Sequence, residues 1–329
     1  MSLTREFKRR AGGLRDKILY GRERKRIKTQ ADLAQSGWIS EAVDALPVVA
    51  TASPDGSQML VLSGEKQAQM GMWASWSVMR FFPHGTLIIV DDGTLSEHTA
   101  ARWQRLVGNV RLVSKPEADV AMAAHLADFP KLRAWSDAYF CGAKIGAFQS
   151  VMDDAPAVEF DTDTISYQGL VDHLKLDGTT PQLTWCDDNR RCYAYEDDLL
   201  KELIGDIVEI DQLPAKLNAG FMRSIRLTQD QLALLETVLT RIEADPRTDP
   251  LRYWMHQTMI ACIAANLGDK AARMDVPRSI YRGPMDPETV MRHFVGNPDI
   301  RPRFFTDGVP SLIRDAQSLG QLPADFRSS

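Results

Sequence analysis

Asp161 and Asp163 stand one residue apart in "PAVEFDTDTISY", at the end of a short strand-like run. In an extended segment residues i and i+2 point the same way, so the two carboxylates would share a face. Like charges a few ångströms apart repel, and a bound cation relieves the repulsion. Hard oxygen ligands suit Mg2+ or Mn2+, which keep some waters and engage phosphates. The spacing fits equally well the solvated end of a strand in an acidic chain. A second acidic pair, Asp91 and Asp92, closes another apolar run in "IVDDGT". Other candidates are scattered: Lys144, the "LNAGFM" segment with Asn218 and Gly220, "YWMHQTM" with His256 and Gln257, and "HFVG" with His293 and Gly296. Each has a structural reading too. Lys144 reads as a solvated helix residue, Asn218-Ala219-Gly220 as a turn, His256 with Gln257 as a hydrogen-bonded core pair, and His293 as a residue on a surface loop.

The elements that would position these groups alternate. "QMLVLSG" (58–64) predicts a buried strand, and "QAQMGMWASWSVMRFF" carries Met70, Trp73 and Phe81 at helical spacing. Residues 87–90 predict a second strand, breaking into Asp91-Asp92-Gly93-Thr94. Thr94 with Glu97 three residues later predicts a capped helix start, with Leu95, Thr99, Trp103 and Leu106 on the inner face. Strands at 109–114 and 157–160 follow, separated by helical segments broken at Pro130. Such alternation predicts an α/β domain with a mainly parallel sheet. Ligands of these sheets bind beyond the carboxyl ends of the strands, where both acidic turns lie. Further on, "DIVEI" and "LNAGFMRS" read as strands, and "TQDQLALLETVLTRI" as an amphipathic helix with Leu232, Leu235, Val238, Leu239 and Ile242 inward. "LRYWMHQTMIACIAANLG" reads as an apolar helix ending at Gly268. Pro and Gly cluster from 277 to 310, predicting loops folded over a site.

The chain of 329 residues, with 44% hydrophobic and 25% charged residues, can bury a sizeable core. No apolar run approaches the ~18 residues of a membrane span, and no secretory signal follows the basic start. Cys141, Cys186, Cys192 and Cys262 lack Cys-x-x-Cys spacing, so neither a zinc knuckle nor a disulfide framework is expected. A reducing, cytoplasmic setting fits. The net charge of −5 is uneven: residues 1–28 hold eleven Lys/Arg against three acids. That leaves 28 basic and 41 acidic residues elsewhere, a balance of −13. Within the arm Leu3, Phe7, Ala11, Leu14 and Ile18 give a helix one apolar stripe. Peripheral contact of residues 1–28 with an anionic inner membrane surface is one reading. A solvated arm, or a helix packed on its own domain, is the other. Nucleic acid is not an expected partner, because no aromatic-basic interleaving occurs.

Four segments occur in one order: "IVDDGT", "FDTD", "LNAGFM" and "HFVG". This order resembles nucleotide-sugar-dependent glycosyltransferases of the GT-A fold over roughly residues 58–313, and the later segments look closest to the retaining branch known as glycosyltransferase family 8. The resemblance implies a GT-A-like, Rossmann-type mixed sheet flanked by helices in a single domain, 45–315, with a basic arm (1–44) and a tail (316–329). It implies that Asp161, Asp163 and His293 hold a divalent Mn2+ or Mg2+. Asp91, Asp92, Lys144, Asp161, Gly220, Gly296 and Arg301 would contact the nucleotide sugar, with Asn218 and Gln257 serving the chemistry. The acceptor would be a glycan or other molecule, such as a cell-surface glycan precursor. Two departures stand out. His256 replaces the acid that often precedes the glutamine, and the basic residue after His-x-x-Gly is Arg301 or Arg303. Two other functions share the residues: a sugar-phosphate nucleotidyltransferase, against which "LSGEKQ" offers only one Gly, and a non-catalytic protein on a degenerate transferase scaffold.

Overall fold

The computed structural model describes residues 21–49, 56–174, 182–276, 283, 289–296 and 299–326. The apolar stripe from Leu3 to Ile18 lies outside the described residues, as does much of the Pro/Gly cluster (277–282, 284–288). The described chain opens with α1 (21–36) and α2 (Trp38–Ala45), which bury Ile27, Ala31, Ile39 and Val43.

Next comes β1 (Gln58–Ser63), where Met59 and Val61 enter one apolar cluster and Leu60 and Leu62 another. With both faces covered, the strand reads as a continuous apolar run rather than an alternating one. Helix α3 (Ala68–Met79) leads to β2 (Thr86–Asp91), and α4 (Glu97–Leu106) to β3 (Val110–Val113). After α5 (Lys115–His125), α6 (Pro130–Ala138) and α7 (Gly142–Val151) the chain returns as β4 (Ala157–Phe160) on the other side of β1. These four strands are parallel. Because the winding reverses between β1 and β4, a crevice opens at their carboxyl ends.

The remainder is β5 (Thr164–Ser166), α8 (Leu170–Leu174), β6 (Leu183–Asp187), α9 (Asp197–Ile204), β7 (Leu217–Ser224), α10 (Gln229–Ala244), α11 (Met255–Leu267), β8 (Ala271–Arg273), β9 (Met291–His293) and α12 (Val309–Ser318). The main sheet has the order β3-β2-β1-β4-β7-β6-β8, with β7 antiparallel to both neighbours. The expected mixed sheet flanked by helices is therefore the architecture found. A separate ladder joins β5 to β9. Arg80 holds this ladder against α3: its guanidinium donates to the Ser166 carbonyl (3.2 Å) and Gln321 Oε1 (2.8 Å), and pairs with Asp315 of α12.

Three local expectations change. Thr94 does not cap α4; the cap is Ser96, whose hydroxyl accepts from the Thr99 amide (3.2 Å). Thr94 is instead held in the acidic turn, its amide donating to Asp92 Oδ1 (3.0 Å). "DIVEI" is not a strand. The Ile207 and Val208 amides bond back to the Ile204 carbonyl, each at 2.9 Å, and Ile210 begins a 3-10 turn. Val208 and Ile210 are buried and Ile207 partly so, but the backbone needs are met locally. His293 lies on a strand, β9, rather than on a loop.

Helix α10 has the reciprocal cap its sequence suits: Thr228 Oγ1 accepts from the Gln231 amide, and Gln231 Oε1 accepts from the Thr228 amide. Thr228→Ala is expected to cost about 1 kcal/mol, read as a fall of roughly 2 °C in the melting midpoint. An unchanged midpoint would show that burial of the inner face alone sets this helix.

Candidate metal and donor site

The acidic pair sits where β4 stops. The Asp161 amide still donates to the Gly220 carbonyl (2.8 Å), continuing the contact with β7. The chain then turns, the Thr164 amide and hydroxyl both donating to the Asp161 carbonyl (3.1 and 2.8 Å). The carboxylates therefore converge through a turn, not through the extended alternation expected. Beyond the turn, β5 pairs with β9 in a register that sets Thr164 opposite His293, and the Phe294 amide donates to the Asp163 carbonyl (2.8 Å). This ladder brings His293 Nε2 to 3.1 Å from Asp163 Oδ1 and 3.5 Å from Asp161 Oδ2. One ligand atom from each residue lies within 4.8 Å of the others.

The opposite side of the imidazole fixes its tautomer. Asn218 Oδ1 accepts from the Gly220 amide (2.9 Å), and its Nδ2 donates to Asp188 Oδ2 (2.9 Å). His293 Nδ1, 3.0 Å from the same Oδ1, must then carry the proton and donate. Nε2 is left with its lone pair toward the carboxylates, as a metal-ligating histidine requires. Two carboxylate oxygens and one imidazole nitrogen form a donor set that fits a divalent cation. Burial disfavours a charged imidazolium, but Asp163 and then Asp161 outweigh it, so His293 lies above the ordinary histidine range. Proton and cation compete for the same nitrogen.

Gly220 explains how the ring fits. A Cβ there would lie 2.5 Å from His293 Nδ1 and closer still to Cε1. Two cations complete the cluster. Lys144, buried on α7, pairs with Asp161. Burial would lower its pKa, but Asp161 foremost raises it, so it stays charged. Arg301 pairs with Asp163 at 3.0 Å, its own side chain 44% exposed. Burial pushes the Asp163 carboxyl upward, and His293 with Arg301 more than reverses this, leaving it below the usual range. Behind Lys144, buried Glu159 is pushed up to about 7 by loss of solvent and accepts from Ser224 Oγ.

These groups open into a cleft of about 680 Å³. Of the residues singled out from sequence, Lys144, Asp161, Asp163, Asn218, Gly220, His256, Gln257, His293, Gly296 and Arg301 all line it. Asp91 and Asp92 are not among its lining residues. Asp91 Oδ1 accepts from the amides of Gly93, Thr94 and Leu95, and the Asp92 carboxylate fills the space where a Cβ on Gly64 would stand. Gln257 is bound at both ends, its Nε2 donating to the Cys192 carbonyl (2.8 Å) and its Oε1 facing the Ala219 amide (3.4 Å). Arg303 faces away, toward Glu23 and Asp307. Sequence reasoning missed Asp188, which holds Asn218, and the wall formed by Arg190, Tyr253 and Trp254. The available signal was "LTWCDDNRRC", a short apolar run ending in acids, which is β6 and its exit.

No protein-family model matches the chain, and no curated protein matches it. Among solved structures it is similar to mouse xyloside xylosyltransferase 1 in its apo form, with 12% identity and a TM-score of 0.48 over 75% of this chain and 99% of that one. It is similar to the galactosyltransferase LgtC in complex with donor and acceptor sugar analogs (15% identity, TM-score 0.44, 82% and 99% of the two chains). A third similar structure is the glycosyltransferase GlyE of Streptococcus pneumoniae (8% identity, TM-score 0.43, 83% and 66%).

Proposed function

We propose that the protein is a metal-dependent glycosyltransferase that moves a sugar from a nucleotide-sugar donor to an acceptor hydroxyl. The observation that carries this reading is the cluster of Asp161, Asp163 and His293, with Lys144 and Arg301 on it, at the carboxyl end of β4. Its charges count in favour of a diphosphate. Two carboxylates and two cations cancel, so a dication held by Asp161, Asp163 and neutral His293 leaves +2, the complement of a sugar diphosphate diester.

The difficult step is departure of the nucleoside diphosphate from the anomeric carbon. A Mn2+ or Mg2+ on this triad would supply a Lewis acid for charge growing on the leaving oxygen. Lys144 and Arg301 add two fixed cationic donors to the same place, where charge develops in the transition state. The bond from the anomeric carbon to the diphosphate oxygen breaks as the bond to the acceptor oxygen forms, and the hydroxyl proton leaves with the nucleoside diphosphate. Asn218 acts through His293 as a positioning residue, since both ends of its amide are engaged. Gln257 fixes Ala219 and Cys192 and so shapes the same floor. A nucleotidyl transfer reading gains nothing from the turn after β1, where the Asp92 carboxylate packs against Gly64 and leaves no phosphate cradle.

The full chain should release nucleoside diphosphate, and no pyrophosphate, from one member of a nucleotide-sugar panel when Mn2+ is added. Pyrophosphate release from a nucleoside triphosphate and sugar phosphate would replace this reading with nucleotidyl transfer. No Mn2+-dependent donor binding by calorimetry would remove it. The cationic arm would hold the enzyme at an anionic membrane surface. No helix among the described residues is long and apolar enough to cross one. Cosedimentation with phosphatidylserine vesicles should therefore depend on residues 1–28, and unchanged sedimentation of the truncated chain would refute the anchoring role.

A further inference from the structure

The strand order divides the cleft into two ends. Leu62 and Gln67 line it near β1, while the 188–192 loop and the start of α11 line it beyond β6. Strands β1 and β6 lie three sheet positions apart, on the order of 14 Å at the usual strand spacing. With a diphosphate at the triad between them, the β6 end is left for the second substrate.

That end has an unusual surface. Tyr253 and Phe140 are 66% and 58% exposed at its rim, and the Tyr253 ring lies 5.1 Å from the Trp254 ring. Trp254 is the only non-glycine residue with positive φ (71°) among the described residues. A bulky side chain in the left-handed region is strained, and such strain concentrates at functional sites. Here it turns the chain into α11 with the indole on the cleft wall. Over that indole, at 5.6 Å, lies the guanidinium of Arg190. Arg190 has no carboxylate at ion-pair distance among the described residues. Its neighbours do: Lys144 has Asp161, Arg301 has Asp163, Arg191 has Asp197 and Arg273 has Asp187. The carboxylate on this wall, Asp188, is turned to Asn218. His256, buried in the same wall, has no hydrogen-bond partner for Nε2.

We propose that this wall is the acceptor subsite and that the acceptor is an anionic saccharide, its carboxylate or phosphate oxygens on Arg190 and a sugar ring against Tyr253 and Phe140. Aromatic faces take the C–H face of a pyranose by burying apolar area. A guanidinium held over an indole presents its edge donors to a planar or tetrahedral oxyanion. His256 lies in the same wall, its Nε2 sealed from solvent. Burial, then Lys144, hold its pKa well below the ordinary range, so the ring is neutral and does not repel an anion as a carboxylate would. The proposal rests on the glycosyltransferase reading.

The test is calorimetry on the full chain with Mn2+ and saturating nucleoside diphosphate. It compares the methyl glycosides of glucose, galactose and mannose with their uronic acids and 6-phosphates. At least one anionic probe should bind about tenfold more tightly than its neutral parent, and which series wins separates carboxylate from phosphate. Arg190→Gln should abolish the preference while leaving the nucleotide-sugar Kd within about twofold. Tyr253→Ala should weaken charged and neutral probes alike. Equal binding of charged and neutral probes, or no saccharide binding, overturns the proposal, as does a preference surviving in Arg190→Gln. If Arg190→Gln weakens the donor instead, Arg190 serves the diphosphate: the acceptor proposal fails and the transferase reading stands. Absence of any donor binding by the wild type fails both.

Discussion

Asp163→Asn should lower Mn2+-dependent donor binding by on the order of 100-fold, about 2.7 kcal/mol, while leaving the weak binding measured in EDTA unchanged. Asparagine keeps the shape but removes one charged oxygen from a donor set of three. It also removes the anion facing both His293 Nε2 (3.1 Å) and Arg301 (3.0 Å). The choice of Asp163 over Asp161 is deliberate. Arg301, 44% exposed, can replace its lost partner with water. Lys144, the partner of Asp161, is buried. Asp161→Asn would strand that ammonium, and breaking one side of a buried pair costs roughly 3–5 kcal/mol in stability. Loss of binding in Asp161→Asn could then be loss of fold, whereas Asp163→Asn should melt within a few degrees of the wild type. Calorimetry with and without Mn2+ decides the matter. If Mn2+ still strengthens donor binding in Asp163→Asn as it does in the parent, the triad is not the cation site.

Gly220→Ala should lower Mn2+ affinity roughly 10- to 100-fold, as losses of supporting contacts around metal ligands do, although residue 220 ligates nothing. The added Cβ would overlap the His293 ring. The backbone is pinned at residue 220, its carbonyl accepting from the Asp161 amide (2.8 Å) and its amide donating to Asn218 Oδ1 (2.9 Å). The imidazole must leave, and its Nδ1 bond to Asn218 goes with it. Overpacking of this kind also costs about 1–3 kcal/mol of stability. His293→Ala supplies the control: it loses the same ligand without overlap. In the double variant the stability penalty of Gly220→Ala should disappear while the metal defect grows no further. That non-additivity is the signature of one shared contact. Wild-type Mn2+ affinity in Gly220→Ala would show that His293 is not a ligand.

Much of the first half of the fold was legible because its signals are local. β1 and β2 are apolar runs covered on both faces, and each is followed by a helix that spacing reveals, although Ser96 rather than Thr94 sets the start of α4. In the second half "LNAGFMRS" was legible as β7, but the shorter strands were hidden. β5, β8 and β9 have three residues each, too few for any period to show. "DIVEI" misled in the other direction, since burial of Val208 and Ile210 needs no strand partner when the amides bond back to Ile204. Asp188 and Arg190 went unread because β6 was unread, and a residue has no position in a cleft until its strand does.

By itself the sequence determined the chemistry available: two aspartates one residue apart beyond a strand, an unbranched cation on the preceding helix, and a histidine near the far end. Carboxylates suit hard cations better than soft ones, because ligand softness and charge belong to side chains and not to folds. Only the tertiary structure decided that these groups meet. The β5–β9 register carries His293 to the acidic turn, Asn218 sets its tautomer, and the missing Cβ of Gly220 gives the ring its space. Those outcomes depend on pairing between distant segments, where a slip of one residue would turn the imidazole to the other face, and short-range spacing does not encode that pairing.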